Sequence, residues 1–494
     1  MKNLIHILLF VLTANFSFSQ ITKTEKIFSN VIHDSIKLSI YLPENWNENK
    51  KYPVIYDFEM LSITDMNSKI FSDNILVYSK YLRLIPQTIL VSIDLKNGDE
   101  LGYSYQSATI NEKGEKFLSA INENVFPFIE SNYNATSGFR GYFGHSYGAS
   151  FGNYLFLNKP SFFNSYILIA PEQLDESNPQ FEINRGLINF YNNRYTTYYV
   201  AGGGKDMERR QNYVRGISQE IKKLGTDKFN FESKIFSNAN HLTIIPKSIP
   251  DALEKTFELF YSFKNIDFES IENSIEYFNK INSKLNDNFE ISIEKNNSNS
   301  VFFMQLAVAK QDSSALEFFA NYFLSENSRG LDYYNFAYSF NTINAKKKAI
   351  DYFQKAIQRA KRDEKEKHSS QNAIDIYQSY RSIALNVYDD NPTMALMSLN
   401  EAYEDIHDIR LKYFMGKIGI QNNMKLKESV EYLKDYIDDG NNNDLWGYVS
   451  DDAYYQLGKG YKLFNKKEKS KKAFQKSLEY NPENESARKA LNEL

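Results

Sequence analysis

The 494-residue chain contains no cysteine, which excludes disulfides, thiolate metal sites, a cysteine nucleophile and a lipid-modified N-terminal cysteine. It also lacks an excess of positive charge. The formal net charge is −4 and the pI is near 6.0, and the lysine-rich stretches alternate with acids along helices, so no nucleic-acid partner is expected. Long apolar runs are absent beyond the N-terminus, so no membrane span is expected in the mature chain. At the N-terminus, Met1-Lys2-Asn3, the apolar stretch Leu4 to Ala14, and Ser17-Phe18-Ser19 before Gln20 form the three parts of a secretory signal. Residues 1–19 are therefore expected to be a signal peptide, and the protein to be exported to the periplasm or the medium.

What is present points to more than one domain, because a chain of this length can bury several cores. The many aromatic residues, Tyr 36 and Phe 37, are attributed to core and helix packing. Ile27 to Leu42 alternates in blocks, predicting one or two antiparallel strands with a turn near His33. Tyr52 to Phe58 and Gln87 to Ile93 are short strands separated by a helical or irregular stretch. Gly114 to Tyr133 keeps Phe117, Ile121, Val125 and Ile129 one helical turn apart. Further strands are expected at Phe163–Ile169, Tyr195–Val200 and Phe229–Phe236, with helices at Arg209–Leu224 and Pro250–Phe263. Alternation of this kind implies a mostly parallel sheet covered on both faces.

One pentapeptide in this half has a mechanical meaning. Gly144-His145-Ser146-Tyr147-Gly148 follows a strand-like run and precedes a helix start, the context of a nucleophile elbow, in which a tight strand-to-helix turn pushes a serine hydroxyl outward. Such a hydroxyl needs a base, usually a histidine oriented by a carboxylate. The mature first domain has three histidines, at 33, 145 and 241. His145 is directed by the elbow itself and His33 lies in a strand turn, which leaves His241, after the last strand, as base. The acid should follow the strand Tyr195–Val200 and its glycines, Gly202-Gly203-Gly204. Asp206 is preferred, with Glu208 as the alternative; either could instead cap the next helix. The oxyanion hole would use the backbone N–H of Tyr147 and a second donor after Tyr52–Phe58, at Met60 or a neighbour.

Several segments together resemble the enterochelin-esterase and esterase D-like branch of the α/β-hydrolases, from Ile27 to about Phe263. They are Tyr41-Leu42-Pro43, Lys51 to Tyr56, Gly114 to Leu118, Pro127 to Glu130 with Tyr133, the elbow, the glycine loop and Asn240-His241. That branch includes siderophore esterases, feruloyl esterases, S-formylglutathione hydrolases and mycolyltransferases. The resemblance implies an α/β-hydrolase fold, Ser146 as nucleophile, Asp206 as acid, His241 as base, and no metal or organic cofactor. The chain departs from the branch at Glu59-Met60, where Asp-Gly is usual, at Ala149, where a second glycine is usual, and around Lys96 to Tyr105, where a common arginine has no counterpart.

After about Lys264 strand-like runs and glycine largely disappear and helical periodicity takes over. Tyr454, Leu457-Gly458, Tyr461, Ser470, Phe474, Ser477 and Pro482 fall at tetratricopeptide spacing, and so do Tyr333, Ala337, Phe340, Ala349, Phe353 and Ala356. Ala395, Leu399 and Ala402 fit in part, and Leu411 to Ile437 only loosely. The expected organisation is thus a signal peptide at 1–19, an esterase domain at 20–263, a helical connector at 264–330 and a repeat-like helical domain at 331–494. The function expected is an exported serine esterase acting on a small-molecule ester, with a possible protein partner on the repeats. Acyl transfer at the same site, an inactive scaffold whose repeats bind a protein, and a peptidase are the rivals.

Overall fold

A computed structural model describes residues 21–58, 64–95, 101–104, 106–172, 181–225, 228–367, 370–440 and 449–494; the expected signal peptide lies outside them. The chain forms two compact units. The first runs to Asp267 and adds Glu276–Glu294, and the second comprises Phe268–Ile275 and Lys295–Leu494.

The first unit is built on β1 (Ile21–Ser29), β2 (Asp34–Leu42), β3 (Tyr52–Asp57), β4 (Ile89–Ile93), the short hairpin β5 (Tyr103–Ser104) and β6 (Thr109–Ile110), β7 (Ala135–His145), β8 (Ser165–Ile169), β9 (Thr196–Gly203) and β10 (Phe229–Phe236). Apart from the hairpin they form one sheet, in the order β1-β2-β4-β3-β7-β8-β9-β10. β1 and β2 are an antiparallel pair, β2 joins β4 antiparallel, and every further ladder is parallel. The turn between the first two strands carries His33 at φ 52°. β2 buries Ile36, Leu38, Ile40 and Leu42 on one face, whereas β3, β4, β8 and β9 are buried at every position. A strand buried on both faces reads as a continuous apolar run, as these sequences do. From β3 the chain crosses to β4 on one side, and from β7 to β8 on the other. The C-terminal ends of β3 and β7 therefore flank a topological switch point, the place where open parallel sheets hold ligands.

The covering helices are α1 (Thr64–Leu76), α2 (Glu112–Ala120), α3 (Phe126–Tyr133), α4 (Tyr147–Asn158), α5 (Arg185–Asn193), α6 (Glu208–Ile221), α7 (Ile244–Thr256), α8 (Glu258–Tyr261) and α9 (Ser274–Phe289). A single π turn at Ile121–Val125 joins α2 to α3, so the long helix expected from Gly114 to Tyr133 is continuous in path. Under α4 the aromatic residues pack on one another: Phe58 stacks on Tyr142 at 5.0 Å between centroids, and Phe156 on Tyr191 at 4.4 Å.

Two differences from the sequence reading have physical causes. The closing helix starts at Ile244, ahead of the expected Pro250, which sits inside it. Ile244, Ile245, Ile249, Ala252 and Leu253 are buried on one face of α7, and that burial outweighs the hydrogen bond Pro250 cannot make. The first unit also extends past Phe263. Phe289, fully buried, packs against Phe139, Tyr195 and Phe260 at 5.4, 5.1 and 4.9 Å. The Glu290 carboxylate accepts hydrogen bonds from Ser137 and Thr136 beside the start of β7.

The second unit is helical: α10 (Asn297–Ala309), α11 (Ser313–Phe323), α12 (Gly330–Thr342), α13 (Lys346–Lys367), α14 (Ser370–Ser382), α15 (Pro392–Ile406), α16 (Ile409–Gln421), α17 (Leu426–Gly440), α18 (Ser450–Leu463), α19 (Lys467–Tyr480) and α20 (Glu485–Asn492). The two repeats legible in the sequence are the hairpins α12–α13 and α18–α19. Ala337, Phe340, Ala349, Phe353 and Ala356 are buried in the first of them. In the second, Ser470 Oγ donates to the Gly458 carbonyl (2.8 Å) and Ser477 Oγ to the Asp451 carbonyl (2.7 Å), so serine fills positions where alanine is usual without leaving a hydroxyl unpaired. The loosely fitting stretch is a third hairpin, α16–α17. There Gly416 faces Leu433, and a Cβ at 416 would come within 2.5 Å of the leucine Cγ.

Candidate active site

The elbow forms where β7 ends. Ser146 stands between β7 and α4 at φ 56°, ψ −116°, a region that costs a residue with a side chain about 1–3 kcal/mol. The glycines on either side make the turn possible. A Cβ on Gly144 would lie 2.6 Å from the Gly148 carbonyl carbon, and one on Gly148 would lie 2.7 Å from the Phe58 carbonyl oxygen. The end of β3 thus rests on the first turn of α4. Ser146 N–H donates to the Ile169 carbonyl of β8 (2.8 Å), and the Tyr142 hydroxyl holds the Gly148 carbonyl from below (2.5 Å).

His241 arrives on the loop after β10. Asn240 Oδ1 accepts from the N–H groups of Leu242 (3.1 Å) and Thr243 (2.9 Å), an Asx turn that fixes the loop. Lys205 N–H donates to the Ala239 carbonyl (2.8 Å). A Cβ on Gly203 would meet that same carbonyl oxygen at 2.6 Å, which is why the loop after β9 needs glycine. His145, set aside as base by the sequence argument, faces this loop as well. Its Nε2 donates to the His241 carbonyl (2.9 Å), and the two rings stand 4.6 Å apart.

These loops bring three expected residues together. His241 Nε2 is 3.0 Å from Ser146 Oγ, and His241 Nδ1 is 2.7 Å from Asp206 Oδ2. With Nδ1–H donated to the carboxylate, Nε2 is left to accept the serine proton. The other oxygen of Asp206 accepts from the Met207 N–H (2.7 Å) and from Arg210 Nη1 (2.8 Å). Glu208, the alternative acid, is exposed at the first position of α6 and lies outside this set, for α6 turns away one residue after Met207. Tyr147 opens α4, while Met60 lies outside the described residues.

Burial raises the Asp206 pKa, and the hydrogen bonds from Arg210, His241 and the Met207 N–H outweigh it, so the carboxyl lies below its ordinary range. The imidazole of His241 is held below its ordinary value by burial and by the neighbouring His145, against the opposing pull of Asp206. It is therefore neutral, the form a base requires, over more of the pH range than a free imidazole.

Sequence reasoning passed over Glu172, which follows Ala170-Pro171 at the end of β8. Its side chain is 7% exposed, and its carboxylate is bonded by Arg209 Nη2 (3.0 Å) and Arg210 Nη2 (3.2 Å). A carboxylate directly after a strand, at the sheet edge where the elbow opens, was the signal available. Among the described residues no group of three or more His, Cys, Asp or Glu side chains could hold a metal ion.

Residues 29–233 match the family model described as "Putative esterase", and residues 451–484 match a tetratricopeptide repeat. The esterase match falls within the first unit. The esterase domain is accordingly a carboxylic ester hydrolase, carried on a mostly parallel sheet and followed by a helical, repeat-like unit. Among solved structures, an uncharacterised protein from Capnocytophaga ochracea shares the fold, at TM-score 0.53 and 16% identity over 69% of this chain and 94% of that one. An IroE-like serine hydrolase from Shewanella oneidensis is similar at TM-score 0.48 and 16% identity, over 62% of this chain and 100% of that one. The BES protein from Bacillus cereus is similar at TM-score 0.42 and 22% identity, over 48% and 97%. No curated protein matches the chain. Among the described residues no helix is long and apolar enough to cross a membrane.

Proposed function

We propose that the protein is an exported serine esterase that cleaves a small-molecule carboxylic ester through an acyl-enzyme on Ser146. His241 Nε2 takes the proton of the Ser146 hydroxyl as Oγ attacks the ester carbonyl. The tetrahedral oxyanion is met by the Tyr147 N–H at the start of α4 and by a second backbone donor just beyond Phe58, at Met60 or its neighbour. His241 then returns the proton to the departing alcohol, leaving Ser146 acylated. Water, deprotonated by the same imidazole, attacks the acyl carbonyl and releases the acid. Asp206 keeps the imidazole in the required tautomer and steadies its charge. Export rests on the N-terminal sequence, and a protein partner for the helical unit rests on its tetratricopeptide-like hairpins.

The observation that carries this reading is the chain of two hydrogen bonds, 3.0 and 2.7 Å long, from Ser146 through His241 to Asp206, with the serine at a sheet edge facing the switch point. Its test is hydrolysis of short-chain p-nitrophenyl esters by the full chain and by Ser146→Ala. Turnover by the wild type and its loss in the variant are expected. Equal rates in both, or none in either, would favour a scaffold whose repeats do the work.

A further inference from the structure

Behind the acid stands a buried ion cluster that the esterase reading leaves without a task. Arg210 donates Nη1 to Asp206 (2.8 Å) and Nη2 to Glu172 (3.2 Å), and the three side chains are 11%, 3% and 7% exposed. Glu172 is in turn fastened to the nucleophile's own helix. Ser150 Oγ donates to the Glu172 carbonyl (2.9 Å) and accepts from the Glu172 N–H (3.0 Å), while Ser150 N–H bonds the Ser146 carbonyl (3.0 Å). The bonds close a ring: Ser146, His241, Asp206, Arg210, Glu172, Ser150 and back to Ser146. The ring crosses every chain segment that supplies a reacting group. A surface ion pair would add little, but a buried network of charged hydrogen bonds rigidifies what it joins.

We propose that Arg210 and Glu172 are positioning residues for ester cleavage, locking the acid loop to the elbow helix so that Asp206 holds His241 in line with Ser146. This rests on the esterase reading. Arg210 supplies a planar fork whose two ends engage different carboxylates, which a lysine cannot reproduce. Glu172, which also holds the more exposed Arg209, offsets part of the guanidinium charge that Asp206 and His241 experience. The charged or titratable groups facing His241 are Asp206, Arg210 and His145, with Glu172 and Arg209 behind Arg210. Lys205 and Glu208 are exposed, and Lys247 on α7 bonds the Asn238 carbonyl.

The charges give opposite signs for the two partners. Removing the guanidinium takes a positive charge from the neighbourhood of His241, and its pKa rises. Removing the Glu172 carboxylate takes a negative charge from the cluster and leaves Arg210 paired with Asp206 alone, and the pKa falls. The experiment measures p-nitrophenyl acetate hydrolysis by the full chain across the acid and neutral range, with the rate of fluorophosphonate labelling as a second readout. Arg210→Gln is expected to move the acidic limb up and Glu172→Gln to move it down, with kcat reduced roughly tenfold in each and KM changed less. Arg210→Lys should restore the position of the limb and only part of kcat. Limbs that stay at the wild-type position, or move in the same direction, in variants with normal thermal unfolding would overturn the proposal. Should a single glutamine variant fail to fold, the pair Glu172→Gln/Arg210→Gln, which removes one charge of each sign together, decides: reduced kcat supports the proposal and wild-type kcat overturns it. A wild type that neither hydrolyses nor labels defeats the esterase reading itself, whereas an active wild type with unshifted variants defeats this inference alone.

Discussion

At the scale of single residues the site depends on which nitrogen of His241 carries the proton. The Asp206 carboxylate accepts Nδ1–H at 2.7 Å, which leaves Nε2 basic toward Ser146. Asp206→Asn keeps the shape but can present its amide N–H to Nδ1, stabilising the wrong tautomer, so kcat should fall by about 10^4-fold while the fold persists; ester hydrolysis alongside circular dichroism checks both. Burial and His145 hold the His241 pKa below its ordinary value of 6.5. Because the reaction needs the neutral ring, activity should be retained as pH falls past that value and be lost only at lower pH. The acidic limb of kcat/KM measures it, and a limb at or above the ordinary value would contradict the account. Ser146, Asp206 and His241 could be read from the sequence because an elbow, a glycine loop and a scarcity of histidine narrow the choices. Glu172 and Arg210 could not, since their meaning comes from a meeting between the end of β8 and the first turn of α6. The part played by His145 was hidden likewise, because its partner is a backbone carbonyl 96 residues away.

Among the elements, the strands of the parallel core announced themselves by continuous apolar runs, and β10 falls where expected, at Phe229–Phe236. Helix ends were harder to read. Proline at 250 resembles a boundary, yet α7 runs through it because its buried face is set by Ile244, Ile249 and Leu253. The α16–α17 hairpin escaped a repeat pattern based on alanine because Gly416 and Gly419 provide its close approach. Helix α9 is the element whose role differs most from its sequence neighbourhood: it looks like linker, and its last residue completes the core of the first unit. Phe289→Ala should destabilise that unit by about 3–5 kcal/mol, the usual cost of emptying a buried aromatic site. Chemical denaturation followed by loss of esterase activity measures this, and a change below about 1 kcal/mol would show that α9 is only peripheral.

For the whole molecule the consequence is that composition and compactness divide the chain at different places. The composition changes near Lys264, but the first unit takes in Glu276–Glu294. A chain ending after Glu294 should therefore remain folded and active, whereas one ending after Phe263 should expose Phe139 and Phe260 and aggregate. Size-exclusion chromatography with an ester assay distinguishes them, and equal behaviour of the two truncations would contradict the division. The central claim, that Ser146 is the atom acylated, is tested most directly by treating the full chain with a fluorophosphonate and mapping the adduct by peptide mass spectrometry. The account predicts a single phosphonylated residue, Ser146, and no adduct in His241→Ala under the same conditions. An adduct on another residue, or undiminished labelling without His241, would contradict it.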